Sequence, residues 1–196
     1  IDASAATVLT KFDGNFQKLG YLKYDLTNLV HYLRKDAKVL AIGSGGGRDV
    51  LSALLFNQKS VLGVEINHDI IDAVTKKFSD FTGNLDKNPK VKFVADEARS
   101  YIARTNEKFD IIQISLIDTW AATASGAFVL SENSLYTIEG WQVFLNHLTD
   151  KGILTVSRWY IGDSPNEMYR LTALATASLK KMGIENTRDR IMIVRR

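Results

Sequence analysis

Apolar positions in this chain fall into short solid runs that alternate with stretches of helical spacing. Lys38-Val39-Leu40-Ala41-Ile42 is a run that ends in glycines. After it, Val50, Leu51, Leu54 and Leu55 recur at helical spacing within residues 48–56. Residues 61–65 form a second strand pattern, and Ile70, Ile71, Val74 and Phe78 mark one face of a helix. A turn-rich stretch, residues 82–89, leads to a third strand at residues 91–95 and a short helix at 97–102. Residues 109–114 read as a fourth strand, and residues 135–148 as a helix. Lys151-Gly152 predicts a turn into a fifth strand at residues 153–157. Ser164-Pro165-Asn166-Glu167 has the form of a helix start, with serine as cap, proline at the first helical position and glutamate closing the box. That helix reaches Gly183, and residues 191–194 predict a sixth strand. Such alternation predicts an α/β domain, with a mostly parallel, doubly wound sheet and helices on both faces. Strands apolar on both sides agree with that.

Composition narrows the chemistry. The 196 residues suit one domain with a sizeable core. With no cysteine, disulfides, thiolate zinc sites and cysteine nucleophiles are excluded, and His31, His68 and His147 stand too far apart for metal-ligand spacing. No metal is expected. A net charge of +3, with only paired basic residues, argues against a nucleic-acid partner. No apolar run in this chain reaches the ~18 residues of a membrane span. Residues 1–35 stand outside the alternation. They are expected to form an N-terminal extension packed on the sheet or over a ligand, with residues 36–196 as the binding domain. The start at Ile1 and the end in a strand-like run suggest a piece of a longer protein.

The glycines Gly43, Gly45, Gly46 and Gly47, with Ser44 among them, sit directly between the first strand and the following helix. A loop without Cβ atoms lets backbone approach a ligand, and a helix N-terminus aims N–H groups at it. Glu65 ends the second strand about 20 residues on, where an acid accepts ribose hydroxyls. Either feature alone is also a plain strand–helix turn or a solvated acid. Together they point to a nucleoside site. The loop lacks the third glycine of G-x-G-x-x-G, since position 48 is Arg, and no Gly-Lys-Ser/Thr follows. Asp96-Glu97 closes the third strand, and Asp96 suits two roles there: facing an adenine amino group, or capping the helix that begins near Glu97.

Read together, these residues resemble the spermidine synthase branch of class I S-adenosylmethionine (SAM)-dependent transferases. The segment from Val39 to Gly47, Val64-Glu65-Ile66, Asp96, Leu135-Tyr136-Thr137-Ile138-Glu139 and Asp150-Lys151-Gly152-Ile153-Leu154 carry the likeness. Ser115-Leu116-Ile117-Asp118-Thr119-Trp120 and Ser157-Arg158-Trp159 are similar to uncharacterised bacterial spermidine-synthase-like proteins, some with membrane-spanning segments outside this domain. The resemblance implies a Rossmann-like class I methyltransferase fold of seven strands when complete, so six strands leave one edge short. It implies SAM or decarboxylated SAM as cofactor, held by Gly43, Ser44, Gly45, Gly47, Glu65, Ile66, Asp96, Glu97 and Ser115. Phe12 to Gln17 resembles the family's N-terminal element, which gives Gln17 a cofactor contact. A cytoplasmic location, as an enzyme or as the cytoplasmic domain of a membrane protein, and a homodimer are further expectations.

Two departures bear on the reaction. The synthases have two aspartates after the fourth strand, spaced D-x-x-D; here the first position is Ser115 and only Asp118 remains. The aspartate of their glycine loop is replaced by Gly46. This reading therefore puts methyl transfer to an unidentified small-molecule acceptor first. Polyamine aminopropyl transfer is the alternative, and a cofactor-binding domain without catalysis a third. Asp118 is expected as base or acceptor-orienting group, with Ser115 and Tyr136 beside it. Trp120, Tyr136, Arg158 and Trp159 are candidates for the acceptor wall, with Trp159 expected in the core. The 16 residues from Asp118 to Asn133 are read as a lid or acceptor loop.

Overall fold

The computed structural model describes residues 7–117, 134–160, 162 and 165–195. After two 3-10 segments and the short helix α1 (Val30–Leu33), strand and helix alternate as β1 (Lys38–Ile42), α2 (Arg48–Leu55), β2 (Ser60–Glu65) and α3 (His68–Asp72). A π-turn leads to α4 (Ser79–Thr82), then β3 (Val91–Ala95), α5 (Ala98–Ala103) and β4 (Phe109–Ser115). Helix α6 (Ile138–Asn146), strand β5 (Leu148–Ser157) and helix α7 (Asn166–Lys181) follow. The five strands are all parallel in the order β3-β2-β1-β4-β5. Winding reverses between β1 and β4, and in such sheets the crevice at the carboxyl ends of that pair takes ligands. The glycine loop leaves β1 there, and Ser115 ends β4 beside it.

The period of two along each strand divides the core. Val39, Ala41, Val61 and Ile111 face α2 and the N-terminal segment, packing with Val50, Leu51, Leu54, Leu19, Leu22 and Val30. Leu40, Ile42, Leu62, Val64, Ile112 and Ile114 face the other way, onto Ile102 of α5 and Trp141 and Phe144 of α6. Each fully buried side chain of this kind contributes about 1.5–3 kcal/mol. By the same alternation Gln113 and Ser115 follow Ile111 on the α2 face.

The structure corrects the expected elements in three places. Residues 191–194 pair with no strand; instead Ile193 lines a shallow groove along α7 with Tyr169, Thr172 and Ala173. The described sheet therefore has five strands, not six. The turn expected at Lys151-Gly152 lies inside β5, which starts at Leu148. Pairing shifts between Phe109↔Leu148 and Ile111↔Ile153, and a Cβ on Gly152 would stand 2.9 Å from the Phe109 carbonyl oxygen, so a bulge with glycine replaces the turn. Pro165 stands at the cap position of α7, just before its first helical residue, while the expected cap Ser164 lies outside the described residues. No described helix is long and apolar enough to cross a membrane.

Candidate active site

The loop from Gly43 to Gly47 turns out of β1 through three left-handed residues, Gly43 (φ +66), Gly45 (φ +48) and Gly47 (φ +88). Side chains rarely adopt that region, so the glycines are dictated by the turn. Gly43 also lies under Ile117, whose Cδ1 would be 2.7 Å from an added Cβ. Glu65 is buried beside the loop and braces it: Gly45 N–H donates to Oε2 (3.0 Å) and Asn67 N–H to Oε1 (3.1 Å). A carboxylate has about four acceptor positions, so this one keeps capacity for two hydroxyls. Ser44 Oγ is buried with no partner among the described residues. Next to Glu65, Ile66 is 72% exposed, which leaves an apolar surface on the open side. A pre-braced acid, a Cβ-free loop and an unused hydroxyl fit a nucleoside.

Gly46 has a different cause. An added Cβ would stand 1.9 Å from the Val8 carbonyl oxygen and 2.9 Å from Leu9 Cα. Thr10 N–H donates to the Gly46 carbonyl (3.1 Å), and the Thr7 methyl lies against Gly45. The N-terminal segment thus crosses the loop where a side chain at position 46 would project.

At the end of β3 the two acids have separate duties. Glu97, not Asp96, is the cap of α5, taking N–H groups from Arg99 (2.9 Å) and Ser100 (2.8 Å). Its extended backbone (φ −74, ψ 125) is that of a cap residue, and this use turns its carboxylate toward the helix. Asp96 accepts from Glu97 N–H and pairs with Arg104 on the surface, one residue beyond β3 and next to Glu65, whose carbonyl accepts from Asp96 N–H. Gln17 is not at the loop. It lies with Leu54, Leu55 and Asn57 at the far end of α2, a helix of about 12 Å, so the structure does not bring Gln17 together with the glycine loop.

On the other side of the crevice, β4 ends in a sharp break. Leu116 has φ +52, a backbone strain worth roughly 1–3 kcal/mol that redirects the chain after Ser115. Arg158 donates to the Ile117 carbonyl, makes a two-point pair with Glu167 (3.0 and 2.9 Å) and stacks 5.5 Å above the Tyr136 ring. Arg158 and Tyr136 therefore clamp the residues that follow β4. Glu167 is held below the ordinary carboxylate range by the hydrogen bond from Arg158. Trp159 is 59% exposed rather than in the core, because it lies beyond the end of β5. Asp118, Trp120 and the loop to Asn133 lie outside the described residues.

Ser115 is joined by residues that no motif announced. Its Oγ accepts from Gln113 Nε2 (3.0 Å), and Asp49 in the first turn of α2 lies near enough for Ser115 to oppose the effect of burial on its carboxyl. Asp49 is only 6% exposed, and burial pushes its pKa up. Arg48 reaches it at 3.9 Å but turns mainly to Asp25 and, at 3.4 Å, to Thr27. An acid in the first turn of a helix has an ordinary reading as a dipole partner. That is why Asp49 gave no signal in the sequence.

A braced acid at the end of β2 and a glycine turn at the end of β1 thus meet at the switch point of a Rossmann-like sheet. The family follows from comparison: residues 22–187 match the spermine/spermidine synthase domain, and the chain belongs to that family. A polyamine aminopropyltransferase of Buchnera aphidicola subsp. Acyrthosiphon pisum is 27% identical over 144 residues, 73% of this chain and 46% of that protein. The same enzyme of Korarchaeum cryptofilum is 25% identical over 62% of this chain and 35% of its own length. The chain thus spans about a third to a half of these relatives. A spermidine synthase in complex with the transition state analogue AdoDATO shares the fold (TM-score 0.57, 19% identity, 83% of this chain and 50% of that one). So does the glycopeptide N-methyltransferase MtfA (TM-score 0.51, 14% identity, 81% and 60%).

Proposed function

We propose that this domain transfers an aminopropyl group from decarboxylated SAM to an amine acceptor. The family match over residues 22–187 carries the reading, and the braced Glu65 beside the glycine loop agrees with a nucleoside donor. This reverses the order reached from sequence, where methyl transfer stood first because position 115 has no carboxylate. Asp49 bears on that objection, since it places a buried carboxyl near Ser115. When bound, decarboxylated SAM supplies a propyl carbon made electrophilic by its sulfonium. Glu65 takes the ribose hydroxyls, Gly43, Gly45 and Gly47 admit the nucleoside to the backbone, Ile66 covers the base and Asp96 suits its amino group. Asp118 and Tyr136 belong to the acceptor side in this proposal.

Methyl transfer remains as a second reading because Gly46 and Ser115 stand where the synthases have aspartates. One assay separates the two. The purified chain is given putrescine with either decarboxylated SAM or SAM, and products are read by mass spectrometry. Spermidine and methylthioadenosine are expected from the first mixture. Methylated amine from the second and no spermidine from the first would overturn the reading.

A further inference from the structure

The chain leaving β4 is held by the end of β5 at two successive residues. Leu116 N–H donates to the Ser157 carbonyl (2.9 Å), and Arg158 donates through Nη1 to the Ile117 carbonyl. Arg158 is itself fixed from other sides. Its Nε and Nη2 donate to the two carboxylate oxygens of Glu167 in the first turn of α7 (3.0 and 2.9 Å). Its guanidinium lies 5.5 Å over the Tyr136 ring, just before α6. The side chain is only 14% exposed, so these contacts enclose it. A guanidinium offers donors on its edges and a flat face, and here one edge grips a carboxylate, another nitrogen a carbonyl and the face a ring. A lysine ammonium is a single point of charge and cannot make these contacts together.

What this clamp holds is Ile117. β1 and β4 are paired up to Ile42↔Ile114, so Gly43 and Ser115 stand at the two lips of the switch-point crevice. Leu116 redirects the chain in the left-handed region (φ +52), and Ile117 reaches back across the lips. Its Cδ1 and Cγ1 stand 2.7 and 3.0 Å from where a Cβ on Gly43 would lie. A strained residue of this kind persists only where its surroundings hold it, and such strain gathers at functional sites. We propose that Arg158 is a positioning residue of the transfer site: by holding the Ile117 carbonyl, it seats the Ile117 side chain on Gly43 as the apolar wall between bound nucleoside and acceptor. The inference rests on the nucleoside donor of the preceding reading and holds whichever group is transferred. A displacement at carbon beside sulfonium needs donor and acceptor close and in line, while the cofactor supplies the reactivity. A wall fixed where the two sides join sets that alignment. Arg158 acts through Ile117 in this arrangement, and Glu167 and Tyr136 keep its guanidinium in the plane that the Ile117 carbonyl requires.

The test follows the isoleucine δ1 methyl groups by carbon NMR in the full chain, with the Ile117 signal assigned by its loss in I117A. Adding methylthioadenosine should shift that signal. R158K keeps the charge and loses the fork, so it should move the Ile117 signal of the free protein while Ile111 and Ile112 of β4 keep their wild-type positions. E167Q, at a glutamate that is 49% exposed, should move it in the same direction by less, and it serves for the same comparison if R158K does not fold. Calorimetry then reads the coupling. R158K should weaken methylthioadenosine by about fivefold or more in the wild-type background and by less than about twofold in I117A, because residues that act through one another are not additive. An arginine that only supports the fold would cost the same in both. An Ile117 signal unmoved by R158K and E167Q overturns the inference, and so does a loss as large in I117A as in the wild type. The stated pattern in a chain that makes no spermidine overturns the aminopropyl reading alone. If neither methylthioadenosine nor S-adenosylhomocysteine binds at millimolar concentration, the nucleoside site and this inference both fall.

Discussion

Glu65 braces the loop with the same carboxylate that a ribose would meet in the proposed function, and substitutions separate the two. Its oxygens brace Gly45 and Asn67, and the remaining lone pairs are what a ribose would use. Glu65→Ala removes both, so loss of binding in that variant mixes a collapsed loop with a missing contact. Glu65→Gln keeps one carbonyl acceptor and the side-chain volume, yet replaces the other acceptor by a donor that faces a backbone N–H. Charge-assisted bonds of this kind contribute about 1.5–3 kcal/mol each. Calorimetry with decarboxylated SAM should show Glu65→Gln weaker by about tenfold or more, while Asp96→Asn, whose partner Arg104 lies on the surface, changes affinity less than fivefold. Equal losses in the two variants would show that Glu65 has no special part in binding. Glu65 and the glycines were legible in the sequence because their chemistry depends on position along the chain: a strand end, a turn, a fixed interval. Asp49 and Gln113 were not, because their meaning depends on what faces them across the fold. Gln113 is one polar residue in an apolar strand, and only the fold shows that its amide donates to Ser115 and to the Thr27 carbonyl.

At the scale of elements, the glycine loop is built together with the N-terminal segment. Residues 7–10 lie on Gly45 and Gly46, and Phe12 N–H donates to the Phe81 carbonyl (2.9 Å) just beyond. The hydrophobic pattern could not reveal this, since Thr7 to Leu9 contact backbone rather than an apolar face. The same juxtaposition explains why position 46 lacks the acid of the resembling loop: the Val8 carbonyl occupies its space. Gly46→Ala places a methyl 1.9 Å from that oxygen, and both atoms are tied to backbone, so the segment must lift. Hydrogen exchange should then rise at Thr10 and Phe12, whose N–H groups hold the segment down, while exchange in β1 and β4 stays at the wild-type level. Unchanged protection at Thr10 would mean that the crossing does not depend on glycine. By contrast, the five parallel strands and the main helices followed directly from apolar runs and helical spacing. The sixth strand failed because an apolar run becomes a strand only where a neighbour pairs with it, and no described strand pairs with residues 191–194, of which Ile193 lines the groove on α7 instead.

For the whole molecule, buried titratable groups set how stability varies with pH, and they act at different ends. His31 has its pKa lowered to about 4 by burial. Its unfolded value is near ~6.5, so between those values the unfolded chain binds a proton that the folded chain refuses, and stability falls as pH drops through that window. The pKa difference corresponds to roughly 3 kcal/mol as an upper figure. Asp110 adds to the loss lower down. Burial raises its pKa, but bonds from Lys38 N–H, Thr149 and Arg34 outweigh that and leave it lowered, so its contribution is present above the usual carboxylate pKa and disappears as pH falls through the folded value. Asp49 works in the opposite direction: with its pKa raised, it favours the fold while protonated and disfavours it as pH rises. Thermal unfolding from pH 4 to 9 should therefore show Tm dropping on the acid side from about pH 6.5, well before carboxylates protonate. His31→Gln cannot take up a proton, so it should flatten the limb between pH 6.5 and 4 and leave the steeper loss below it to Asp110. Asp49→Asn should raise Tm above the Asp49 midpoint and steepen the acid-side drop, because the stabilising proton that Asp49 takes up on acidification is then missing. If His31→Gln keeps the full acid limb, the buried ring beside Gln58 and Phe56 is not what sets the loss of stability above pH 4.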